Sequence, residues 1–390
     1  MNINQIQDYL VKHDLDGWLL ADFHARNDIA VAFVGLAGVV TRRSLYFVPA
    51  QGEPVALVHA IEKAKYVHAP GRLVTYSGYK QLESLLQDLL SGSSKIAMEY
   101  SPHGRLPYIG LVDAGTIELV RECGVEIVPS ADIVAHFQAR LTQEQAQTHR
   151  QAAQNVIRIK NSAFEHIAIA LKAGMEITEY DVCVFIRKQF EAMGMETSSG
   201  PNCSVDAHAG DPHYEPAVES SWVIKTGQLI LIDLWARMKG ESSAFADITW
   251  MAYAGSIEDI PAKYAEQFNV LANARDAAVN ALKEKLTTGD TSGHEIDDIC
   301  RGVITDAGLG EYFVHRTGHS ITTSEHGAGP NIDNLETEDR RLLQPGHLFS
   351  IEPGVYFDDY GLRTEINVLI TDSGPEVTTL PLQKEITALF

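Results

Sequence analysis

The sequence predicts two domains, an α/β domain over residues 1–140 and an α+β domain over residues 141–390. The chain has 390 residues, which exceeds what one hydrophobic core usually organises. Short apolar runs alternate with helical patterns in the first third of the chain, as they do in α/β folds. A long polar helical segment then precedes blocks of strands and helices, which favour an α+β domain with a largely antiparallel sheet.

The predicted N-terminal domain begins with an amphipathic helix at residues 3–13. Six short apolar runs follow, separated by turns, and they read GWLLA, SLYFVPA, PVALVHA, RLVTYS, KIAMEY and VEIVPS. Helical patterns lie between several of them, notably QLESLLQDLL and GLVDAGTIELVREC. The turn AQGEP at 50–54 joins two of the runs as a hairpin, so we expect a mixed sheet.

The predicted C-terminal domain begins with a long helix. Thr142 and Gln145 form the pattern of a capping box, which starts a helix, and Gly174 ends it. Another helix follows the segment TEYD, and two more are expected at 260–286 and 293–307. Strand-like runs accompany these helices, and they read GQLILIDLWA, AFADITWMAYAG, GHLFSIEPGVYF and TEINVLITDSG.

Charge and cysteine usage restrict the classes of function. The formal net charge of −21 argues against nucleic acid and anionic membrane surfaces as partners. The longest apolar run, at 29–40, is too short to span a bilayer, and the N-terminus lacks the basic and apolar regions of a signal peptide. Four scattered cysteines without a CxxC pattern fit a reducing compartment. We therefore expect a cytoplasmic protein that binds neither nucleic acid nor membrane.

Four acidic residues interrupt or border apolar strand patterns in the second predicted domain. They are Asp233, Asp247, Glu352 and Glu365. Each one alone could be a strand-end residue that faces water. Together they indicate a site, because buried carboxylates without partners are costly and converging carboxylates repel one another. Two divalent cations would balance four carboxylates, and oxygen ligands with one imidazole suit Mn²⁺, Co²⁺, Fe²⁺ or Zn²⁺.

Three histidines lie in the segment HRTGHSITTSEH, namely His315, His319 and His326. Gly318 and the hydroxyl-rich, β-branched residues after it disfavour a helix, so we expect a loop or strand. In a strand, His315 and His319 would share one face and His326 would lie on the other, unless the loop bends. Three surface histidines on a polar loop are the alternative interpretation. Beside the four carboxylates, we interpret the middle histidine as a metal ligand and the others as substrate-side residues.

These segments resemble a known family. IDLWARMKGESSAFADIT, GHSITTSEH, FSIEPG and LRTEINV are similar to motifs of the M24 metallopeptidases, the pita-bread family of methionine aminopeptidases, prolidases, aminopeptidases P and creatinase-like proteins. The resemblance covers residues 145–385, and the first domain resembles the smaller creatinase/prolidase-type domain. It implies a pita-bread catalytic domain that hydrolyses Xaa-Pro bonds, as a dipeptidase or an aminopeptidase.

The resemblance implies two divalent metal ions, with Mn²⁺ expected and Co²⁺, Zn²⁺ or Fe²⁺ as alternatives. The implied ligands are Asp233, Asp247, His319, Glu352 and Glu365. In the family, Asp247 and Glu365 would bridge the metals, and a hydroxide between the metals attacks the scissile carbonyl. Glu352 matches the carboxylate that serves as general base.

The resemblance also implies residues around the substrate. His326, seven residues after His319, matches a substrate-side histidine, and His213 in DPHYEP matches a histidine near the leaving group. His315 matches a further histidine of prolidases and aminopeptidases P. Arg363 would either hold a substrate carboxylate or orient a metal-binding acid. Relatives with two domains are mostly dimers, so the resemblance implies a homodimer that acts on small peptides.

The sequence departs from the family pattern in several places. Trp250 stands where an arginine is usual after DIT, and Ser320 replaces the second glycine of GHG. The interval between Asp233 and Asp247 is longer than usual, and the segment 329–346 is an acidic, distinctive loop that could shape access. These departures keep open a metal-dependent amide hydrolase that acts on non-peptide small molecules, as ectoine hydrolases do. A binding protein without catalysis is a third interpretation, although such relatives usually lose metal ligands.

Overall fold

The computed structural model describes residues 2–36 and 40–390. The chain divides into two units, Met1–Gln138 and Ala139–Phe390, within two residues of the boundary expected at 140. Part of the apolar run at 29–40 lies outside the described residues, at 37–39. Within the described ranges, no helix is both long and apolar enough to cross a membrane.

The first unit contains a mixed sheet in the order β4-β3-β2-β1-β5-β6. The strands are β1 (Gly17–Asp22), β2 (Ser44–Pro49), β3 (Val55–His59), β4 (Arg72–Tyr76), β5 (Lys95–Met98) and β6 (Glu126–Pro129). The α-helices are α1 (Ile3–Lys12), α2 (Asp28–Val34), α3 (Tyr79–Leu90), α4 (Ala114–Glu122) and α5 (Ala131–Phe137). Strand β2 runs antiparallel to β1 and β3, whereas the other neighbours are parallel. The α/β prediction for this region is confirmed.

Local sequence explains where helices of the first unit begin and which face they bury. Helix α3 buries Leu82, Leu86 and Leu90, which are four residues apart and therefore share one face of the helix. These leucines belong to the same apolar core as strands β1, β2 and β5. Helix α4 begins later than the apolar pattern suggests, because the Asp113 side chain accepts a hydrogen bond from Thr116 N at 3.0 Å and caps it.

The second unit contains two main sheets and four long α-helices within the described residues. The strands are β7 (Met195–Glu196), β8 (Asn202–Val205), β9 (Leu229–Met238), β10 (Phe245–Tyr253), β11 (Ser320–Ile321), β12 (Leu348–Ile351), β13 (Gly354–Tyr356), β14 (Gly361–Arg363), β15 (Ile366–Thr371), β16 (Gly374–Val377) and β17 (Thr387–Ala388). The α-helices are α6 (Gln143–Lys172), α7 (Glu179–Ala192), α8 (Ala262–Thr288) and α9 (Gly293–Asp306).

The sheets of the second unit are largely antiparallel. One has the order β17-β10-β9-β7, with β8 also paired to β9, and the other has the order β11-β12-β15-β16. Strands β13 and β14 form a separate hairpin. Among these pairs, β10 and β17 are parallel and the rest are antiparallel. This arrangement confirms the predicted α+β class.

Helix α6 begins at the predicted capping box. Thr142 Oγ1 accepts a hydrogen bond from Gln145 N at 3.2 Å, and Gln145 Oε1 accepts one from Thr142 N at 2.8 Å. The two side chains thus satisfy backbone N–H groups that have no partner within the helix. The helix ends at Lys172, two residues before Gly174.

The segment GHLFSIEPGVYF forms two strands, β12 and β13, where one was expected. Pro353 stands between them, has no backbone N–H and cannot continue the ladder of hydrogen bonds. Glu352 lies at this break, and its backbone N–H donates to Thr317 O at 2.7 Å. The break therefore frees the Glu352 side chain from the alternation of the strand.

The β9–β10 hairpin separates a helix-covered face from a face that carries the acids. Helices α6 and α7 pack on the first face and bury Ile248 and Ala252 with it. Trp250 lies on this same face, with its ring centroid 3.3 Å from Lys160 Nζ of α6. Burial lowers the pKa of Lys160 to about 8. Helices α8 and α9 pack with β12 and β15 in a second apolar core.

The burial of His149 in α6 should make the free energy of unfolding depend on pH. It is fully buried between Phe245 O, 2.7 Å from Nδ1, and Thr378 Oγ1, 2.6 Å from Nε2. Burial lowers its pKa from 6.5 to about 4. The unfolded chain therefore binds the proton more tightly, and stability is lost as pH falls from about 6.5 towards 4, by up to about 3 kcal/mol.

We expect the thermal unfolding midpoint of the second unit to fall over this pH range. His149→Asn should be less stable at neutral pH and should show a smaller pH dependence. His68→Asn, at an exposed histidine, serves as the control and should behave like the wild type. An unchanged pH dependence in His149→Asn would show that His149 does not titrate with folding.

Candidate metal centre

The β9–β10 hairpin supplies the first two predicted ligands. Asp233 lies opposite Thr249 and Asp247 lies opposite Trp235 in the antiparallel register. Opposed residues, and residues two apart, point to the same side of a sheet. All four side chains therefore share the face that helices α6 and α7 leave uncovered. The turn at 239–244 provides the extra length between the two acids.

The other three predicted ligands come from the region of the second sheet. A Cβ added at Gly318 would lie 1.9 Å from Ser350 O, so glycine alone permits this approach next to His319. The His319 backbone N–H donates to Ser350 Oγ at 2.9 Å. Glu365 immediately precedes β15, and its N–H donates to Thr249 O at 3.2 Å. These contacts hold the second sheet against the hairpin at the acids.

Three of the five predicted ligands come together, Glu352 adjoins them through His319, and Asp233 shares the face of the hairpin that carries Asp247. Asp247, His319 and Glu365 each offer one atom to a group in which all atoms lie within 4.8 Å of one another. His319 Nε2 is 3.6 Å from Asp247 Oδ2 and 3.5 Å from Glu352 Oε1. Within the described residues, three buried oxygens of this cluster have no hydrogen-bond partner, namely Asp233 Oδ1, Asp247 Oδ1 and Glu365 Oε1. Each of the three acids thus directs an unsatisfied oxygen into the protein interior.

Burial and mutual repulsion raise the pKa of three of these carboxyls. The pKa of Asp247 lies well above its usual value because of burial and then the charge of Asp233. Burial, followed by the charge of Asp247, raises the pKa of Glu365 in the same way. Burial also raises the pKa of Asp233, although Arg363 opposes the shift. Without added positive charge, these shifts favour the protonated forms of the three carboxyls.

Glu352 is in a different electrostatic environment. Burial acts to raise its pKa, but the charges of His319, His315 and Arg363 outweigh burial and lower it. Ser350 Oγ also donates to Glu352 Oε1 at 2.8 Å. Glu352 is therefore the member of the cluster that most readily stays ionised.

The donor set fits two divalent cations. Buried carboxylates that lack partners and resist ionisation are stabilised when a cation replaces the missing positive charge. Four carboxylates and one imidazole are ligands that Mn²⁺, Co²⁺, Fe²⁺ and Zn²⁺ accept, and the four negative charges match two divalent ions. No cysteine lies in the motifs that supply this cluster.

Arg363 is held by groups of the site itself. Its Nη2 donates to Asp233 Oδ2, its Nε donates to Thr249 Oγ1 at 2.9 Å, and its Nη1 donates to Tyr356 OH at 3.2 Å. Arg363 is 7% exposed. Of the two alternatives from the sequence, this geometry favours the one in which Arg363 orients a metal-binding acid.

The histidine segment bends at its end. His315 is half-buried, and its Nε2 lies 2.8 Å from Tyr356 OH. The loop after β11 turns back, with Gly327 N donating to Ser320 O at 2.7 Å. The rings of His319 and His326 consequently meet edge to face, with centroids 4.3 Å apart. The loop therefore bends, which was the stated exception to the opposite-face expectation, and it brings His326, which is exposed, back to the cluster.

His213 is not brought into the cluster. It is exposed, and its backbone N–H donates to Asp211 Oδ1 at 2.9 Å. The neighbouring Tyr214 O accepts a hydrogen bond from Asn202 Nδ2. Asn202 lies directly opposite Asp233 in the β8–β9 register, so the loop that carries His213 passes beside the site. A role for His213 near the leaving group stays a prediction.

Glu179 organises this loop, and the sequence did not indicate it. The carboxylate is fully buried and accepts hydrogen bonds from Val205 N, Tyr214 OH and Trp222 N, at 2.8, 2.7 and 2.8 Å. The His208 ring, 2.9 Å away through Nδ1, stacks against Tyr214. In the sequence, Glu179 resembles an ordinary first-turn acid of α7, because its partners are 26 to 43 residues away.

Two of the departures from the family pattern acquire structural explanations. Trp250 belongs to the helix-facing core, on the opposite side of β10 from Asp247, and is not a residue of the site. In the acidic loop at 329–346, Asp333 accepts hydrogen bonds from its own loop backbone, and Asp339 pairs with Arg341 in the interior. These acids stabilise the loop.

Comparison with solved structures agrees with the fold. The dipeptidase PepE of Mycobacterium ulcerans superposes with a TM-score of 0.75 at 21% identity, over 99% of this chain and 96% of that one. The prolidase of Pyrococcus horikoshii superposes with a TM-score of 0.67 at 20% identity, over 98% and 99%. Fold and site together define a two-domain protein with a pita-bread C-terminal domain.

The family follows from the sequence match. Residues 151–372 match Metallopeptidase family M24, and the chain belongs to this family. It is 31% identical to an Xaa-Pro dipeptidase of Lactobacillus delbrueckii over 63% of this chain and 61% of that protein. It is also 31% identical to an uncharacterized peptidase of Staphylococcus saprophyticus, over 54% and 55%. The matches thus span little more than half the length of these relatives.

Proposed function

We propose that the protein hydrolyses Xaa-Pro peptide bonds with two divalent metal ions held by Asp233, Asp247, His319, Glu352 and Glu365. The convergence of unpartnered buried carboxylate oxygens beside His319 carries this proposal. The similarity to an Xaa-Pro dipeptidase and the fold shared with prolidases support the substrate class. Such ions, when bound, polarise a carbonyl oxygen and lower the pKa of an attacking water.

The chain's own residues manage the protons and the orientation. Neighbouring cationic groups lower the pKa of Glu352 and so favour its ionised form, which would accept a proton from water. That proton then moves to the proline nitrogen as its bond to the carbonyl carbon breaks, so water is divided between the two products. Arg363 fixes Asp233, and Tyr356 connects Arg363 to His315. We propose that His315 and His326 contact the substrate.

The proposal is tested by proline release from Ala-Pro with Mn²⁺-loaded protein. A chelator-stripped sample is the control, and an Xaa-Pro-Xaa tripeptide is assayed alongside. We expect metal-dependent cleavage of the dipeptide, which establishes a prolidase, whereas cleavage of the tripeptide alone establishes an aminopeptidase P. Cleavage of neither, with metal bound, would refute the peptide substrate and favour a small-molecule amide hydrolase. Trp250, which had kept that alternative open, lies in the core.

Metal identity, assembly and location complete the proposal. We propose Mn²⁺ as the working metal, because the ligands are mainly carboxylate oxygens. We also propose a cytoplasmic homodimer, on the basis of the family resemblance and the cysteine usage. The metal assignment is tested by measuring activity after reconstitution with each of Mn²⁺, Co²⁺, Zn²⁺ and Fe²⁺. The dimer is tested by sedimentation of the purified chain.

A further inference from the structure

The acid-bearing face of the β9–β10 hairpin continues beyond the proposed metal ligands into a polar cleft. On β9, Trp235 and Arg237 follow Asp233 at intervals of two residues and therefore share its face. Phe245 lies opposite Arg237 in the register. A cavity of about 380 Å³ lies at this end, and its lining includes Arg237, Phe245 and Glu325. A substrate bound at the metals has room to extend in this direction.

The loop that carries Glu325 is fixed to the same hairpin. Phe245 N donates to Thr322 O at 2.9 Å, and Arg237 Nη1 donates to Thr323 O at 2.9 Å. Thr322 and Ser324 are joined by a further backbone hydrogen bond of 2.9 Å. Glu325 is therefore presented to the cleft by an ordered turn and not by a free chain.

Glu325 lacks a cationic partner of its own. Across the described parts of the chain, its carboxylate accepts no hydrogen bond, and its nearest charged partner is His326 Nε2 at 4.0 Å. Arg237, the cation that lines the cleft, is already paired with Glu196 at 2.9 Å. The Glu325 side chain is only 20% exposed. A partly buried carboxylate without a cationic partner is stabilised by a positive group that enters the cleft.

The charge of Glu325 exceeds what the metals require. Asp233, Asp247, Glu352 and Glu365 already balance two divalent ions. Glu325 is a fifth carboxylate beside this cluster, because the His326 ring, whose Nε2 lies 4.0 Å from Glu325 Oε1, packs against the ring of His319. A ligand that brings one positive charge would relieve this excess.

Trp235 lies on β9 between the proposed ligand Asp233 and the cleft residue Arg237, so its aromatic ring adjoins both. Its Nε1 donates to Ser199 Oγ at 3.3 Å, and a Cβ added at Gly200 would lie 2.2 Å from the ring. The ring is thus pressed against the Gly200 backbone and held in one orientation. Aromatic faces attract ammonium and guanidinium groups, so this wall is compatible with the charge of Glu325.

We propose that Glu325 is a specificity-determining residue that binds a positively charged amino group of the substrate, with Trp235 as the adjoining wall. This inference rests on the proposed function and adds a substrate preference to it. The amino group is either the free α-ammonium group of the peptide or a basic side chain of the residue before proline. Glu325 is a carboxylate in the loop before His326, a segment in which the sequence pattern points only to the histidines.

The test compares Ala-Pro with Lys-Pro on Mn²⁺-loaded wild-type, Glu325→Gln and Glu266→Gln proteins. Glu266 is an exposed acid of α8 and serves as the matched control. Loss of a charged hydrogen bond predicts that Glu325→Gln raises KM by roughly 10-fold or more, with kcat little changed. A rise for both peptides assigns the α-ammonium group, and a rise for Lys-Pro alone assigns the side chain. KM values within twofold of wild type for both peptides overturn the proposal.

A binding measurement separates this inference from the peptidase proposal. Calorimetric titration of the same metal-loaded proteins with L-lysine and with L-norleucine, its counterpart without the side-chain ammonium group, requires no turnover. Weaker binding of lysine to Glu325→Gln supports the site even if neither peptide is cleaved, and equal binding to wild type and variant refutes it. Trp235→Leu is expected to weaken the same ligand by roughly 2- to 5-fold.

Discussion

Asp247→Ala is expected to reduce kcat/KM for Ala-Pro by about 10³-fold or more, because metal-ion catalysis contributes several kcal/mol and each 1.36 kcal/mol is tenfold in rate. Asp247 lies at the centre of the cluster: one oxygen is 3.6 Å from His319 Nε2 and the other is buried without a partner. Removal of this carboxylate takes away a charge that the cations need. The measurement is steady-state hydrolysis at saturating Mn²⁺.

The matched control is Asp372→Ala, at an exposed acid in the turn between β15 and β16. This variant should retain wild-type activity. The folded state of Asp247→Ala is checked by its thermal unfolding and circular dichroism, because loss of a buried repulsive charge need not destabilise the fold. Wild-type turnover by Asp247→Ala would refute the metal assignment.

Removal of the metals is expected to abolish activity and to change how stability depends on pH. In stripped protein, burial and repulsion by neighbouring acids raise the pKa of Asp247 and Glu365 well above 3.8 and 4.5. A carboxyl whose pKa is raised by folding stabilises the folded state fully at pH values below its pKa in the unfolded chain, which is near 4. This stabilisation is lost as pH rises through the pKa that the group has in the folded protein. The stripped protein should therefore lose stability as pH rises above about 4, through these two groups.

Bound cations reverse this effect, because they favour the ionised carboxylates. The increase in unfolding midpoint on adding Mn²⁺ should therefore be larger at pH 8 than at pH 5. The difference between loaded and stripped protein at each pH cancels contributions from groups outside the site, such as His149. A stabilisation by Mn²⁺ that does not grow with pH would contradict the assignment of Asp247 and Glu365 as ligands.

The sequence reveals a functional residue when that residue is energetically unfavourable within its own short segment. An acid inside an apolar strand is expensive wherever the strand lies, so Asp233 and Asp247 are conspicuous in the sequence alone. The capping box at Thr142 depends on two residues three apart, and it formed as predicted. Strand alternation also places Asp233 and Asp247 on one face, once their pairing is known.

The remaining features depend on contacts between distant segments. Strand alternation puts Trp250 and Asp247, three residues apart, on opposite faces of β10, but no pattern in the sequence shows which face α6 covers, because both faces are buried. The return of His326 to His319 requires a loop closure at Gly327. Glu325 is significant only through the field of acids that lie elsewhere in the chain. Contacts of this kind form only when distant segments fold together, so no short sequence pattern indicates them.

We propose that the acid cluster holds two divalent cations, and counting the bound metal ions tests this proposal most directly. Wild-type protein is loaded with Mn²⁺, dialysed against metal-free buffer and analysed by mass spectrometry for metal per chain, beside Asp247→Ala and Asp372→Ala. We expect two equivalents for the wild type and for Asp372→Ala, and a clear loss for Asp247→Ala. No bound metal in the wild type, or two equivalents retained by Asp247→Ala, would contradict it.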